Sequence, residues 1–416
     1  MSAPHPSEPV HLVGLISGTS MDGIDAVVVR FEPNTPISPL TPSAYTWLAA
    51  ETYPLSDALT AALDQARQRA EHALDHDLAT PIEQPFHQPW LQALDDQLTE
   101  AFADAALKII EASGVGRSQI AAIASHGQTV AHRPNATPPI SLQLADPQTI
   151  ADRTGLTTVG RFRAADLAAQ GQGAPLAPLL HQALFAQSDQ HRVILNLGGI
   201  ANVTCLIPDR AAVGFDTGPA NALLDAHYRQ HHDKPFDRDG RWARSGEVLP
   251  QLLARFLSDP FFQQPPPKST SIETFGPAWL AQRLEGFESA APEDIQATLA
   301  ELTAASVADA LTEASADAPP IDRVVVCGGG AHNLDLLDRL KKHLPGVAVG
   351  PIEAASGSVS ESVSGSGAVS ADHLEAFLFA WLGRARLLGH AFDTAAITGA
   401  QRPVLLGEVH HPSTDA

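Results

Sequence analysis

Residues 11–31, HLVGLISGTSMDGIDAVVVRF, hold two apolar runs separated by a polar turn, SGTSMDG, that is rich in glycine and hydroxyl side chains. The β-branched residues after the turn predict strand, turn, strand. The same plan returns at residues 193–207, VILNLGGIANVTCLI, with Gly198 and Gly199 in the turn. A hairpin repeated in each half of the chain predicts two α/β lobes with mixed sheets, because paired apolar runs imply antiparallel neighbours inside them.

The segments around these hairpins fit that reading. Residues 56–111 carry apolar positions at helical spacing and are broken near ATPIEQPFHQP by three prolines, which predicts two helices with a loop between them. AAIASHGQT (121–129) predicts a buried strand running into a polar turn, and SLQLADPQTIADRTG (141–155) a short strand and a helix. In the second half, GFDTGPANALLDAHYRQHH (214–232) reads as a strand-end turn leading into a helix. Residues 292–314 predict an Ala-rich helix before the buried strand Val324 to Val326, and CGGGAHN (327–333) a turn before another helix. Residues 354–371, AASGSVSESVSGSGAVSA, predict a flexible loop or lid. The apolar helix after it places Phe377, Phe379 and Trp381 in the core.

The 416 residues exceed one core of usual size, 44% are hydrophobic, and no segment reaches the roughly 18 apolar residues of a membrane span. The first residues lack a basic n-region and an apolar h-region, so the expectation is a cytoplasmic protein. Cys205 and Cys327 follow apolar runs and read as buried free thiols. A net charge of -21 with scattered Lys and Arg excludes a nucleic-acid face. An anionic ligand must then be met locally, by backbone N–H groups, a metal ion or a few placed cations.

Three constellations could do so, and a fourth carries a candidate base. In GLISGTSMDGID (14–25), Gly18 and Gly23 bracket Thr19, Ser20 and Asp22, and Asp25 opens the next strand. Main-chain N–H groups and the two hydroxyls can donate to a polyphosphate, while Asp22 or Asp25 can hold Mg2+ through water. An ordinary hairpin turn has the same composition. NLGGIANVT (196–204) repeats the plan after Asn196, and a tight turn needs at most one of its two glycines. In CGGGAHN, Gly328, Gly329 and Gly330 offer bare backbone to an adenine or ribose, or simply start a helix. In GFDTGPAN, Asp216 could be a general base, or the cap of the helix that begins near Pro219.

These segments occur in one order with SHGQT, GQGAPL, PFDRDG, PKSTS and IQATLAELTA, and the whole resembles the anhydro-N-acetylmuramic acid kinase family from Gly14 to Gly399. The resemblance implies a two-lobed actin-like (ribonuclease H-like) ATPase fold with an interlobe cleft. It implies an ATP-dependent kinase that opens the anhydro ring with water and phosphorylates O6, in cell-wall recycling. Its partners are then ATP, Mg2+ and a small sugar, with no nucleic acid or membrane, and the sequence allows a homodimer. By the same matching, Gly18, Thr19, Ser20, Met21, Asp22, Gly23, Ile24 and Asp25 form the first ATP loop, joined by Asn196, Gly198, Gly199, Gly328, Gly329, Gly330 and Asn333. Asp216 becomes the base that activates water, and His126, Gln128, Arg163 and Glu375 line the sugar pocket. Arg163 suits the lactyl carboxylate.

The expected lobes are 9–160, completed by 401–412, and 161–400 with the loop 354–371. Two departures from the family pattern stand out: Arg161 replaces an acid, and Gln170 replaces a glycine. A kinase for another sugar, a conformational ATPase like actin or the heat-shock chaperones, and a catalytically silent relative share these motifs.

Overall fold

The computed structural model describes residues 8–18, 21, 23–38, 44–76, 89–266, 268–272, 274–352 and 371–413. Thr19, Ser20 and Asp22 of the first glycine turn lie outside them, as does the Ser/Gly stretch apart from Ala371. The chain divides into two compact units, the described residues of 8–180 with 371–413, and those of 181–352.

In the first unit, β1 (Val10–Ser17), β2 (Gly23–Phe31) and β3 (Tyr45–Pro54) form an antiparallel meander. On the other side of β1, β4 (Ile120–Arg133) runs parallel, with β5 (Ile140–Leu144) as its hairpin partner and β6 (Thr158–Gly160) parallel beyond. In the second unit, β7 (Arg192–Leu197), β8 (Ile200–Leu206) and β9 (Val213–Pro219) repeat the meander. There β10 (Arg323–Cys327) pairs β7 in parallel, and β11 (Ala348–Pro351) pairs β10 in parallel. The last strand, β12 (Glu408–His410), returns to the first sheet antiparallel to β6. Both sheets thus carry three antiparallel strands and then two parallel to the first, in the order β3-β2-β1-β4-β6 and β9-β8-β7-β10-β11. The mixed α/β sheets are those expected from the repeated hairpin, and the fold is the actin-like one that the family resemblance implies.

Leu12, Val13, Leu15 and Ile16 of β1 and Ala26, Val27, Val28 and Val29 of β2 are apolar and buried because both faces of that sheet are covered. Val13, Leu15, Ala26 and Val28 pack with Leu98, Phe102 and Ile109 of the helix Pro89–Ser113. The opposite face, which carries Leu12, Gly14, Val27 and Val29, receives the helix Leu374–Leu387. Contact is close: a Cβ on Gly14 would strike the carbonyl of Ala376, and one on Gly383 would lie 2.6 Å from Cβ of Ala124. Phe377 of that helix stacks among Phe31, Tyr45 and Trp47 at 6.1, 5.0 and 5.2 Å. Phe377, Phe379 and Trp381 are buried, as read from the sequence.

This helix explains why residues 371–400 belong with the first sheet and not with the second, as the expected boundary had them. Residues 161–180 follow because Asp166, fully buried, accepts hydrogen bonds from the Thr394 and Thr398 hydroxyls at 2.6 and 2.7 Å. The expected strand at 121–129 extends from Ile120 to Arg133, so SHGQT is strand and not turn. Gly127 makes this workable, since its φ of +73° lets β4 shift register where a Cβ would meet the Leu144 carbonyl. In the second unit the helix Pro292–Ala314 lies at the centre of the core, buried along most of its length, as its Ala-rich composition predicts.

Gly14→Ala should lower unfolding stability of the first unit by about 1–3 kcal/mol, because the methyl overpacks a rigid backbone contact. Urea unfolding followed by Trp fluorescence checks this, and a parental midpoint would contradict the close approach.

Candidate active site

The Gly14 face of the first sheet gathers polar side chains at its carboxyl end. Asp25 lies on β2 opposite Ile16 and pairs Thr52 of β3, whose hydroxyl donates to Oδ1 of Asp25 at 2.6 Å. Nε2 of His373 lies 3.2 Å from the same hydroxyl. The one hydroxyl proton is directed at Asp25, so Nε2–H of His373 is the donor to Thr52. His126, on β4, lies flat against Phe379 with ring centroids 4.3 Å apart. Arg163, in the turn after β6, donates to Nε2 of His126 from Nη2 at 3.1 Å.

Electrostatics follows from this packing. Burial, then the charges of Arg163 and His132, hold His126 well below the ordinary imidazole value. His126 is therefore neutral, with Nε2 as acceptor and its proton on Nδ1. Burial pulls Arg163 down to about 10, opposed by Glu375. Glu375, in the first turn of the helix on Gly14, is open to solvent on one side, yet the protein crowding its carboxyl, and next the charge of Asp25, raise it, with Arg163 acting against them. The structure thus brings His126, Arg163, Glu375 and Asp25 into one electrostatically linked group. Gln128 is buried and donates to its neighbour's carbonyl, Thr129 O, at 3.2 Å. Its Oε1, and Oγ of Ser17 beside it in the β1–β4 register, have no hydrogen-bond partner among the described residues, at the end of β1 that leads into the Gly18 turn.

Within that turn, Met21 N–H donates to Gly18 O at 3.2 Å. Met21 and Ile24 bury their side chains in the core, so only their backbones can meet a ligand. Gly23 is required by the close approach of β3, since its Cβ would lie 2.6 Å from Cγ2 of Thr52. Among the described residues no group of three or more His, Cys, Asp or Glu side chains could hold a metal. Asp25 supplies hard oxygen donors that suit Mg2+ held mainly through water and phosphate.

The second unit sets its glycine turns side by side at the ends of β7 and β10. The carbonyls of Gly198 and Gly199 accept from Asn221 N and Ala220 N, both at 3.0 Å, tying the turn to the helix Asn221–His231. A Cβ on Gly328 would strike Oδ1 of Asn196, and one on Gly330 would lie 3.2 Å from Oδ1 of Asn221. Asn196, Gly198, Gly199, Gly328, Gly329 and Gly330 are thus neighbours. Asn333 is different, because its side-chain oxygen caps the helix Leu334–His343 by accepting from Asp335 N and Leu336 N, both at 3.1 Å.

Asp216 lies within β9 opposite Asn202 and does not cap the following helix, whose N-cap is Ala220. Its Oδ2 accepts from Ser269 Oγ at 2.9 Å and Thr270 N at 2.8 Å. Burial raises the carboxyl above the usual carboxylate range, while those two bonds hold it down. A half-buried, oriented carboxylate of raised basicity is suited to take a proton from water.

The positions missed from the sequence are Thr52 and His373 beside Asp25, Ser269 and Thr270 beside Asp216, and Asp166, which ties residues 161–180 to the first unit; Phe379 was read as core and also carries the His126 ring. PKSTS was the only signal for Ser269 and Thr270. Arg161, the replaced acid, makes exposed ion pairs with Asp146 and Glu408, both at 3.4 Å. Gln170 adopts a φ of +66°, where glycine is the natural occupant.

A family model described as anhydro-N-acetylmuramic acid kinase matches residues 10–412. The chain is 46% identical over 411 residues to the anhydro-N-acetylmuramic acid kinase of Xanthomonas campestris pv. campestris, covering 99% of this chain and 100% of the relative. It is 44% identical over 402 residues to that of Chromohalobacter salexigens, covering 96% and 98%. Among solved structures, a ROK hexokinase from Thermus thermophilus is similar over 90% of this chain and 99% of its own, at 16% identity and a TM-score of 0.34.

The neutral state of His126 has a consequence for stability. Unfolded, the imidazole gains a proton below about 6.5, whereas the folded one resists it, so stability falls as pH drops through that value. His126→Gln keeps an acceptor for Arg163 but cannot protonate, and should show a smaller loss of Tm between pH 7 and pH 5. Equal losses in parent and variant, by calorimetry, would remove His126 from that account.

Proposed function

The chain belongs to the anhydro-N-acetylmuramic acid kinase family, and from that premise we propose the roles its residues take in opening the 1,6-anhydro ring of 1,6-anhydro-N-acetylmuramic acid and phosphorylating O6. The product is N-acetylmuramic acid 6-phosphate, and the reaction belongs to peptidoglycan recycling, here placed in the cytoplasm. Asp216 takes a proton from the attacking water. The observation that supports this role is the fixed Oδ2, bonded at 2.8 and 2.9 Å, on a carboxylate whose basicity burial raises.

Attack of water at C1 frees O6, and O6 develops negative charge as it meets the γ-phosphate. One bound geometry therefore couples ring opening to transfer. The segment from Gly18 to Asp25 in the first unit, and the Gly198–Gly199 and Gly328–Gly330 turns in the second, each have the glycine-rich composition that lets backbone N–H groups meet ATP. Mg2+, when bound, neutralises phosphate charge, and Asp25 or Asp22 would hold it through water. Arg163 pairs with the lactyl carboxylate, His126 fixes the guanidinium without adding charge, and Gln128 and Glu375 supply hydrogen bonds to sugar hydroxyls.

A coupled assay with ATP and 1,6-anhydro-N-acetylmuramic acid, with the phosphorylated sugar identified by mass spectrometry, tests the reading. ADP release should depend on the anhydro sugar and not on glucose. Asp216→Asn should lose about 10²–10⁴-fold in kcat while nucleotide affinity stays within about twofold. Parental turnover in that variant would defeat the assignment of the base.

A further inference from the structure

Asp216 is held on one side only. Ser269 Oγ and Thr270 N both donate to Oδ2, at 2.9 and 2.8 Å, and no described residue donates to Oδ1. The backbone closes the clamp, since Asp216 N–H donates to Lys268 O at 2.9 Å. Residues 268–270 thus run beside β9 and bond Asp216 three times.

That segment is itself pinned. The Lys268 ammonium donates to the Phe261 and Phe262 carbonyls at 3.2 and 3.3 Å and lies 4.8 Å over the Phe261 ring. Gly218, with φ of +143°, lets the Phe262 ring approach β9, where a Cβ would lie 2.7 Å from Cε1 of that ring. Opposite Asp216 on β8 stands neutral Asn202, and the Lys268 charge is turned to the two carbonyls. Among the described residues, burial and the two donors to Oδ2 are what set the affinity of Asp216 for a proton.

We propose that Asp216 reacts through Oδ1 alone, and that Ser269 is a positioning residue that occupies Oδ2 together with the Thr270 backbone. This rests on the reading of Asp216 as the base. A carboxylate oxygen offers two lone pairs, and both donors aim at Oδ2, so a water proton has Oδ1 as its acceptor. In the step, a water O–H bond breaks and the proton passes to Oδ1. The water oxygen bonds to C1, the C1–O6 pair leaves on O6, and O6 takes the γ-phosphoryl group as ADP departs. The proton on Oδ1 then returns to solvent.

Ser269 also sets the pH at which the base is ready. A base works above its pKa and is lost as pH falls through it, and the Ser269 bond favours the ionised form. In Ser269→Ala, kcat/KM should fall about threefold to tenfold at pH 5 and less than about twofold at pH 8. Ser269→Thr, which keeps the hydroxyl, should restore the parental profile. In parallel, a carbon-13 NMR titration of the Asp216 carboxyl, assigned with Asp216→Asn, should move upward in Ser269→Ala. A profile that is unchanged, or lowered equally at every pH, overturns the proposal. If Asp216→Asn is inactive while neither profile nor titration moves, the base stands and the clamp falls. A shifted titration with an unchanged profile removes both.

Discussion

The polar group on the first sheet depends on one steric fact, the absence of a side chain at Gly14. A methyl there would meet the Ala376 carbonyl, so only glycine lets the helix Leu374–Leu387 settle on β1. Gly383 makes the matching approach at β4, against Ala124. Seated in this way, the helix presents Glu375 beside Asp25 and Arg163 and lays Phe379 under His126. Core packing and site geometry are therefore one arrangement, because interiors packed at crystal density transmit a shift at one end of a helix to the other.

The two units tune their ionisable groups in different ways. In the first, burial acts first and coupled charges add to it: Arg163 further lowers His126, Asp25 further raises Glu375, and Glu375 opposes the burial of the Arg163 charge. In the second, Asp216 has no charged partner acting on it among the described residues, and burial is set against two neutral donors. Coupled charges suit recognition of an ion, since a bound anion or cation alters several groups together. A carboxylate governed by burial and hydrogen bonds suits proton transfer, since its basicity is then largely independent of which charges arrive with a ligand.

Much of this was legible in the sequence, and the limits are physical. The hairpins were readable because β-branched runs and a glycine turn are local signals, and the helix Pro292–Ala314 because its composition is. SHGQT looked like a turn since Gly127 punctuates it, but a left-handed glycine can also let a strand shift register and continue. Asp216 before Thr-Gly-Pro could have been a cap, and its true partners lie 53 and 54 residues away. Asp166 is further still from its threonines, at 228 and 232 residues, so no local pattern could assign residues 161–180 to the first unit. The departures at Arg161 and Gln170 also change meaning in three dimensions. One joins a surface ion-pair group and the other occupies a left-handed backbone position, and neither removes a side chain of the proposed site.

A chain of net charge -21 that must hold an acidic sugar and a triphosphate cannot rely on long-range attraction. The alternative is to concentrate recognition in a few desolvated contacts. Burial has already lowered Arg163 to about 10, so its cation is incompletely compensated by Glu375 and by a neutral histidine. If Arg163 takes the substrate carboxylate, as proposed, that carboxylate completes the compensation, whereas a neutral sugar of the same shape leaves it incomplete. Discrimination of this kind exceeds what shape alone achieves, because rejecting the wrong ligand means leaving a buried polar group unpaired. On that proposal, the neutral state of His126 contributes to the selectivity. A protonated imidazole in its place would turn its donors toward the guanidinium and compete with it for the same anion.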